Sequence, residues 1–294
     1  MTIEQINNLK PARLRALTGM TTNALQQLLA ISVPELVHLR QLAKLKRTDR
    51  KRAFGGGRKP KLSPSQEVLL VLIYLRHNLA HEVVGALFGV SADTSENLFH
   101  EIVPLLRDLF PSNRFEAQKR FRGQEPSLKF EEIDRILIDS FETPIPRPSN
   151  YERQKRVYSG KKKCHTLKSQ VESDREGEVL GISAGHRGPI SDKRVYEASR
   201  VGEQYRDASK QGDLGYQGTE GIEVPHKKPK GGGLSDEQRE ENRAKASVRV
   251  HVEHAIRRVK GFKIMREKYR LAMGLFPMVA SAVVGLVHLN RILM

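Results

Sequence analysis

The sequence is short of cysteine and of acidic residues, and each shortage limits what the protein can be. Cys164 is the single cysteine among 294 residues, so the chain can form neither an intramolecular disulfide nor a zinc site built from cysteines. Asp and Glu number 34 against 51 Lys and Arg, which leaves a formal net charge of +17. That excess favours a polyanionic partner, with nucleic acid as the first candidate, although a ribosomal-type or merely soluble basic protein has the same composition.

Long uncharged stretches are also rare, and the longest does not predict a membrane span. The N-terminal segment MTIEQINNLK has no apolar run behind a basic start, which argues against a secretory signal peptide. Residues 271–289 contain no Asp, Glu, Lys or Arg and approach the length of a spanning helix. Because Pro277, Ser281, Gly285 and His288 dilute their apolar character, we predict a buried C-terminal helix in a cytoplasmic protein.

Length and composition predict roughly two domains, since 294 residues with 38% hydrophobic residues bury a real core. The first part is predicted to be helical: Thr21 or Thr22 caps a leucine-rich helix, and a second short helix follows at 33–45. The segment KRTDRKRAFGGGRKPK, residues 46–61, is a charged linker, either a solvated hinge or an arm that neutralises phosphates. The predicted divisions are N-terminal helices 1–45, a linker 46–62, a helical region 63–122 and an α/β domain 130–294.

A helix-turn-helix is predicted inside the region 63–122. Ser63 and Pro64 form an N-cap and first residue for a core helix, and two further helices at 81–88 and 92–106 flank a turn at 89–91. Small Gly85 lets these helices approach closely, as in DNA-binding motifs. Many helical hairpins bind nothing, however, and phosphates would repel three acidic residues of the second helix. Four polar residues of that helix are candidates for reading bases: Thr94, Ser95, Asn97 and His100.

After Phe121 the hydrophobic pattern changes from helical to extended. Strands are predicted at 133–145, 164–172 and 179–184 and in a short piece that leads into Asp213, with a further extended piece at 222–224. A helix is predicted near 193–206, and a long helix begins at Ser235, where Ser235 and Gln238 form a capping box. This order predicts a mixed α/β domain in which a sheet is flanked by helices.

Three acidic residues stand at chemically suggestive places. Asp139 ends the apolar run Ile136–Leu137–Ile138, where a carboxylate is either buried and paired or exposed to hold something positive. Asp213 lies in the glycine-rich GDLGYQG and is equally typical of a turn. Glu253 shares one face of the last long helix with Arg249 and Lys260, which is also the pattern of a surface ion-pair ladder. If the three carboxylates meet, they form a set of hard oxygen ligands for one or two Mg²⁺ ions.

From about Gly55 to the C-terminus the chain resembles the insertion-sequence transposases of the DDE superfamily, in particular the compact bacterial group. The resemblance is clearest in a few motifs: Ile138–Asp139–Ser140, Arg147–Pro148, YSGKKKCHTLK from Tyr158, GDLGYQG from Gly212, and Arg249 with Glu253 and Lys260. The family often has a tyrosine three residues before the arginine, and Ala246 stands there instead. The resemblance implies a ribonuclease-H-like catalytic core at 130–294 and a helix-turn-helix before it.

Residue by residue, the resemblance implies that Asp139, Asp213 and Glu253 are the catalytic ligands of Mg²⁺, with two ions bound and Mn²⁺ able to substitute. Asp192 matches the family's acid before the core's first helix and is a rival for the second ligand, although N-capping is the simpler role. The residues expected to contact DNA are Arg58, Lys59, Lys161, Lys162, Lys163, His165, Lys168, Arg249 and Lys260. Solubility alone would also explain the lysine run.

The main hypothesis is therefore a transposase that cuts and joins double-stranded DNA at terminal inverted repeats and at a target site. It would act in the cytoplasm on the nucleoid, and as a homodimer or larger assembly because joining two ends needs two subunits. One alternative is a catalytically silent remnant or regulator that only binds DNA. Another is an RNA-binding or ribosome-associated protein, which explains the charge and none of the acid spacing.

Overall fold

The computed structural model describes residues 3–46, 59–122, 133–199 and 201–293. Most of the predicted linker 46–62, including Arg58, and the predicted boundary near residues 123–132 lie outside these ranges. Seven helices precede the sheet: α1 (Ile3–Asn7), α2 (Pro11–Thr18), α3 (Thr22–Leu45), α4 (Pro64–His77), α5 (His81–Phe88), α6 (Ala92–Leu109) and α7 (Arg114–Arg122). The all-helical beginning expected from the sequence is confirmed.

The predicted division of the N-terminal region into two helices after residue 31 is wrong. Thr21 caps α3, which then continues through Pro34 to Leu45. Proline removes a single backbone N–H from the helix, whereas Leu28 and Leu36 are buried on either side of it and hold one continuous helix against the core. Tertiary packing therefore outweighs the local signal for a break.

The helix-turn-helix has the predicted form. α5 ends at Gly89, whose φ of +72° is the left-handed conformation that glycine adopts without strain, and Ser91 caps α6. A Cβ atom at Gly85 would lie 2.7 Å from the Val90 carbonyl oxygen, so only glycine allows this turn to pack so closely. Ser95 is fully buried and hydrogen-bonds to His81 Nδ1 at 3.0 Å, so it is not available to bases. Asn97 and His100 are exposed.

The remaining elements alternate strands and helices. The strands are β1 (Arg135–Pro144), β2 (Tyr158–Ser159), β3 (Cys164–Ser173), β4 (Val179–Arg187), β5 (Ser209–Gln211) and β6 (Ile222–Glu223). The helices are α8 (Tyr151–Val157), α9 (Asp192–Ala198), α10 (Val201–Gln204), α11 (Asp236–Lys260) and α12 (Phe276–Ile292). α9 and α10 replace the single helix predicted near 193–206, and the capping box of Ser235 and Gln238 starts α11 as predicted.

The six strands form one mixed sheet. Its order is β2–β3–β1–β5–β6. β4 also pairs with β3, along residues 167–173, whereas β2 pairs with residues 164–165 of the same strand. β1, β3 and β4 are antiparallel neighbours, whereas β5 and β6 run parallel to β1. Leu137 and Phe141 pack with α11 on one face of the sheet, and Ile136 and Ile138 pack with α9 on the other. The predicted mixed sheet flanked by helices is confirmed.

The C-terminal helix joins the sheet to the helical region. Among the described residues, the segment Met273–Ile292 is long and apolar enough by length and composition to cross a membrane, and its most apolar window is 67% buried. α12 packs on α6, α7 and β4, and His288 places its two ring nitrogens 3.1 Å from the Pro111 oxygen and 3.0 Å from the Val179 oxygen. A core helix is the role predicted from the sequence. One hydrophobic cluster thus contains residues of both the helical region and the α/β domain. The division of the chain into domains stays a prediction.

The carboxyl group of Glu172 is buried in the sheet, and replacing this residue by Gln is expected to stabilise the protein. Burial raises its pKa to about 7 from the ordinary 4.5, although Gln170 donates a hydrogen bond to it. As pH rises from 4.5 to 7, the unfolded chain releases this proton before the folded one does, so stability falls across that window. We expect Glu172→Gln to remove the fall and raise the unfolding free energy at pH 8 by about 2–3 kcal/mol.

Urea unfolding between pH 4.5 and pH 8 measures this effect. Glu176→Gln is the control, because it is the same change at an exposed position. Its unfolding free energy should depend on pH as that of the parent protein does. Parallel pH profiles for the parent and Glu172→Gln would contradict the assignment.

Candidate active site

Strand β1 positions the first acid. Ile136, Leu137 and Ile138 are fully buried, and the strand carries Asp139 from this apolar centre to a half-buried position. The Ser140 backbone N–H donates a hydrogen bond of 2.7 Å to Asp139 Oδ1, which fixes the orientation of the carboxylate. Alternation along the strand places Asp139 on the same face as Leu137 and Phe141, and that face packs on α11.

The end of strand β5 brings in the second acid. β1 and β5 pair in parallel with Arg135 opposite Ser209 and Leu137 opposite Gln211, so the same register two residues further on places Asp213 beside Asp139. Asp213 caps the 3₁₀ turn Leu214–Tyr216, and its Oδ1 accepts a 2.8 Å hydrogen bond from the Gly215 N–H. The turn predicted from the glycine-rich sequence and the role predicted from the family are therefore compatible.

Helix α11 supplies the third acid from above the sheet. Val252, Ala255, Ile256 and Val259 are buried, so the helix is anchored by one stripe. Glu253 is beside that stripe, 47% exposed, and forms an ion pair of 3.2 Å with Arg249. Asp139 and Glu253 line one open cleft of about 530 Å³.

Negative charge is concentrated around Asp139. Burial raises the pKa of its carboxyl group to about 6, and the nearby charges of Asp213 and Asp192 act in the same direction, while the Ser140 N–H and Arg249 lower it. The fold thus holds carboxylates close enough to repel one another, which is unfavourable without a cation. A carboxyl group with a raised pKa that lines a cleft is typical of a functional site.

Asp192 has a different role from the N-cap expected of it. Ser191 caps α9, and Asp192 is the first residue inside the helix. Its Oδ1 accepts hydrogen bonds from Ser140 Oγ at 2.6 Å and from Lys168 Nζ at 2.9 Å. Ser140 and Lys168 lie on the α9 face of the sheet, opposite the face of Asp139 and Glu253. The lysine neutralises Asp192, which makes it a weaker rival for a cation.

The basic residues expected to meet DNA fall into two groups. Lys260 lines the cleft with its Nζ 4.8 Å from the centre of the Phe141 ring, and the charges of Lys162 and Arg266 add to burial in lowering its pKa. Lys161, Lys162 and Lys163 are exposed on the turn between β2 and β3, and Lys59 is exposed. In contrast, the Lys168 side chain is buried against Asp192 and the Ile190 carbonyl, and the His165 ring packs edge-to-face on Tyr158.

The cleft also contains two arginines that the sequence reasoning did not select, Arg257 and Arg266. Arg257 follows Glu253 by four residues on the same helical face, so the spacing that selected Arg249 and Lys260 would have found it as well. Arg266 follows the end of α11, and only the fold brings it to the cleft.

The ligand types fit a hard divalent cation. Asp139, Asp213 and Glu253 offer carboxylate oxygens, the ligands that Mg²⁺ prefers, and neither His nor Cys lines the cleft. Within the described ranges, no three Asp, Glu, His or Cys side chains already converge closely enough to hold one ion. Glu253 pairs instead with Arg249, and an exposed pair of this kind is worth only about 0.3–0.5 kcal/mol.

Comparison with known proteins assigns both halves of the chain. A family model described as DDE superfamily endonuclease matches residues 138–289, and one described as helix-turn-helix of DDE superfamily endonuclease matches residues 60–112. A protein of Microchaete diplosiphon named as a transposase for insertion sequence element IS702 is 32% identical over 247 residues, spanning 82% of this chain and 85% of that protein.

Two further similarities are more distant. A protein of Streptomyces albus G named as a transposase for insertion sequence element IS112 is 27% identical over 72% of this chain and 74% of its own length. A crystal structure of a pre-cleavage Mos1 transpososome is 10% identical and covers 76% of this chain and 84% of that one. Its TM-score of 0.18 carries no argument. The first relative and the two family models are sufficient: the chain belongs to the DDE superfamily of endonucleases, as an insertion-sequence transposase with an N-terminal helix-turn-helix.

Proposed function

We propose that this transposase cuts double-stranded DNA at the terminal inverted repeats of an insertion sequence and joins the ends to a target site, with Mg²⁺ held by Asp139, Asp213 and Glu253. The observation that carries the proposal is the cleft that Asp139 and Glu253 line together with Lys260 and Arg257. Acids that bind a cation and bases that bind a phosphate are both required for phosphodiester chemistry.

Each side chain has a part in this proposal. Two magnesium ions bound by the three carboxylates would activate the attacking water or 3′-hydroxyl and stabilise the leaving 3′-oxygen. Asp139 and Asp213 are oriented beforehand by the backbone N–H groups of Ser140 and Gly215. Glu253 leaves its exposed pair with Arg249, which frees that guanidinium for a phosphate. Lys260 and Arg257 bind the oxygens of the DNA backbone on the helix side of the cleft.

The DNA ends are recognised in this proposal by the helix-turn-helix, with Asn97 and His100 of α6 exposed for contact. The exposed lysines at 161–163 and Lys59 bind phosphates near the cleft. The helices 1–45, the region 63–122 and the catalytic domain 130–294 then act as successive parts of one DNA-binding surface. Because two ends are joined, we propose that the working form is at least a homodimer, acting on the nucleoid in the cytoplasm.

The proposal is tested with the purified chain and a labelled duplex made from the inverted repeats that flank its gene. We expect strand cleavage at the repeat boundary in Mg²⁺, cleavage when Mn²⁺ replaces it, and none in EDTA. A duplex with scrambled repeats is the matched control. Specific binding without cleavage in either metal would refute the enzyme and favour the silent DNA-binding remnant. Displacement of the duplex by an equal concentration of RNA would favour the RNA-binding alternative.

A further inference from the structure

A second cavity, of about 350 Å³, adjoins the candidate active site and is lined by arginine. It lies between the end of α2, the end of α4, the end of α11 and the last turns of α12. The guanidinium groups of four residues line it: Arg15, Arg76, Arg258 and Arg291. None of its lining residues is acidic.

Arg76 lines this cavity and has fixed contacts there. It donates a hydrogen bond to the Gly261 carbonyl oxygen, and its guanidinium carbon lies 5.8 Å from the centre of the Phe262 ring. A Cβ atom at Gly19 would be 3.1 Å from Arg76 Cδ, and one at Gly261 would be 2.9 Å from Arg76 Nη1. The two glycines therefore make room for the Arg76 side chain in the wall of the cavity.

Among the described residues, the four arginines that line the cavity outnumber the two carboxylates found to act on them. Arg258 and Arg291 both form ion pairs with Glu178, and the charge of Asp174 acts on both of them as well. Arg15 is exposed, and no acidic partner for it occurs in the part of the chain that the structure describes. The charge of Arg15 instead acts with burial to lower the pKa of Arg76. An excess of like charges around one cavity favours an anionic ligand.

Helix ends offer a simpler explanation for each arginine alone. Arg15 and Arg76 are in the last turns of α2 and α4, where a cation stabilises the helix dipole by about 0.3–1 kcal/mol. The helix dipole does not explain why arginines from two helix ends line the same cavity, because the repulsion between their charges opposes the stabilisation that each dipole gives. The helix ends therefore leave the meeting of the two arginines in one cavity unexplained.

The cavity is next to the catalytic cleft. Gly261 lines both, and Arg266 of the cleft is near enough to lower the pKa of Arg76 as well as that of Lys260. Lys162, Lys260, Arg266, Arg76 and Arg15 thus form a connected series of cations that leads from the sheet to the N-terminal helices.

We propose that this arginine cavity binds a phosphate of the DNA backbone, on the segment of duplex next to the one held in the catalytic cleft. The site deepens the proposed function and rests on it, because it assigns to α2 and α4 a contact with the same DNA. It differs from base recognition by α6, since guanidinium groups that meet phosphates position a duplex without reading its sequence.

The test is the salt dependence of binding, measured with the full chain in EDTA by fluorescence anisotropy on a labelled duplex of random sequence. We expect Arg15→Ala to weaken binding roughly two- to fivefold, as for an exposed charged contact. It should also reduce the slope of log affinity against log salt by about 0.9, the value for one lost phosphate contact. Arg15→Lys keeps the charge and should retain the slope.

Arg13→Ala is the matched control, because Arg13 is exposed on the same helix and does not line the cavity. Equal slopes for Arg15→Ala and Arg13→Ala would overturn the inference. Since the measurement needs no metal, it separates the two proposals. If Arg15→Ala reduces the slope but the parent protein never cleaves DNA, the phosphate site is supported and the nuclease is refuted. If the parent cleaves DNA but Arg15→Ala leaves the slope unchanged, the nuclease is supported and the phosphate site is refuted.

Discussion

Asp139→Asn is expected to abolish DNA cleavage, with a loss of at least about 10³-fold, while the protein keeps its fold. The amide removes one negative oxygen from the set that holds Mg²⁺, and metal ions contribute several kcal/mol to stabilising the transition state of phosphoryl transfer. Single-turnover cleavage of the inverted-repeat duplex in Mg²⁺ measures the loss. Binding of the same duplex in EDTA should be unchanged or tighter, because a negative charge leaves a cleft that receives phosphates.

The stability of this variant distinguishes a functional acid from a structural one. Burial and two neighbouring carboxylates raise the pKa of Asp139 to about 6, so its charge is unfavourable to the folded protein. We expect the thermal midpoint of Asp139→Asn in EDTA to equal or exceed that of the parent. A residue kept for packing or for an ion pair would instead destabilise the fold on replacement.

The other two proposed ligands are tested in the same way. Asp213→Asn and Glu253→Gln should each lose cleavage to a similar extent, whereas Asp236→Asn, at an exposed position in the first turn of α11, should cleave normally. Asp192→Asn decides between the two candidates for the second ligand. Normal cleavage by Asp213→Asn together with a loss in Asp192→Asn would show that the assignment is reversed.

Gly285→Ala is expected to destabilise the whole molecule. A Cβ atom at this position would lie 2.0 Å from the Phe110 carbonyl oxygen and 2.7 Å from its carbonyl carbon, so α12 and the end of α6 must move apart. Alanine favours a helix over glycine by about 1 kcal/mol, but backbone overlap of this size outweighs it. We expect a net loss of about 3 kcal/mol and a thermal midpoint lower by roughly 5 °C.

Differential scanning calorimetry measures this loss, and Gly274→Ala is the control. Gly274 precedes the same helix, and a Cβ atom there would have no heavy atom within 4 Å. The control should therefore melt like the parent. If Gly285→Ala also melted like the parent, the contact between α6 and α12 would not be the close packing that joins the helical region to the sheet.

The local elements of this protein were largely predictable because their signals are local. Ser63 and Ser235 each begin a helix with a capping box, and the apolar run before Asp139 is a buried strand. The helix-turn-helix was predictable from its glycines, since Gly89 needs a positive φ and Gly85 a close approach. Errors arose where distant packing outweighed local preference, as in the continuation of α3 through Pro34.

The sequence by itself determined which acids and bases are available and that spacings of four and seven put Arg249, Glu253 and Lys260 on one helical face. Only the tertiary structure decided which of them meet. The register of β1 with β5 aligns Asp213 with Asp139 across 74 positions of the chain, and the opposite face of the sheet receives Asp192 and Lys168. The spacing of apolar residues shows which side of a single helix or strand is buried. Strand pairing and helix packing bring together residues that are far apart in the chain, and no repeating pattern in the sequence marks those pairs.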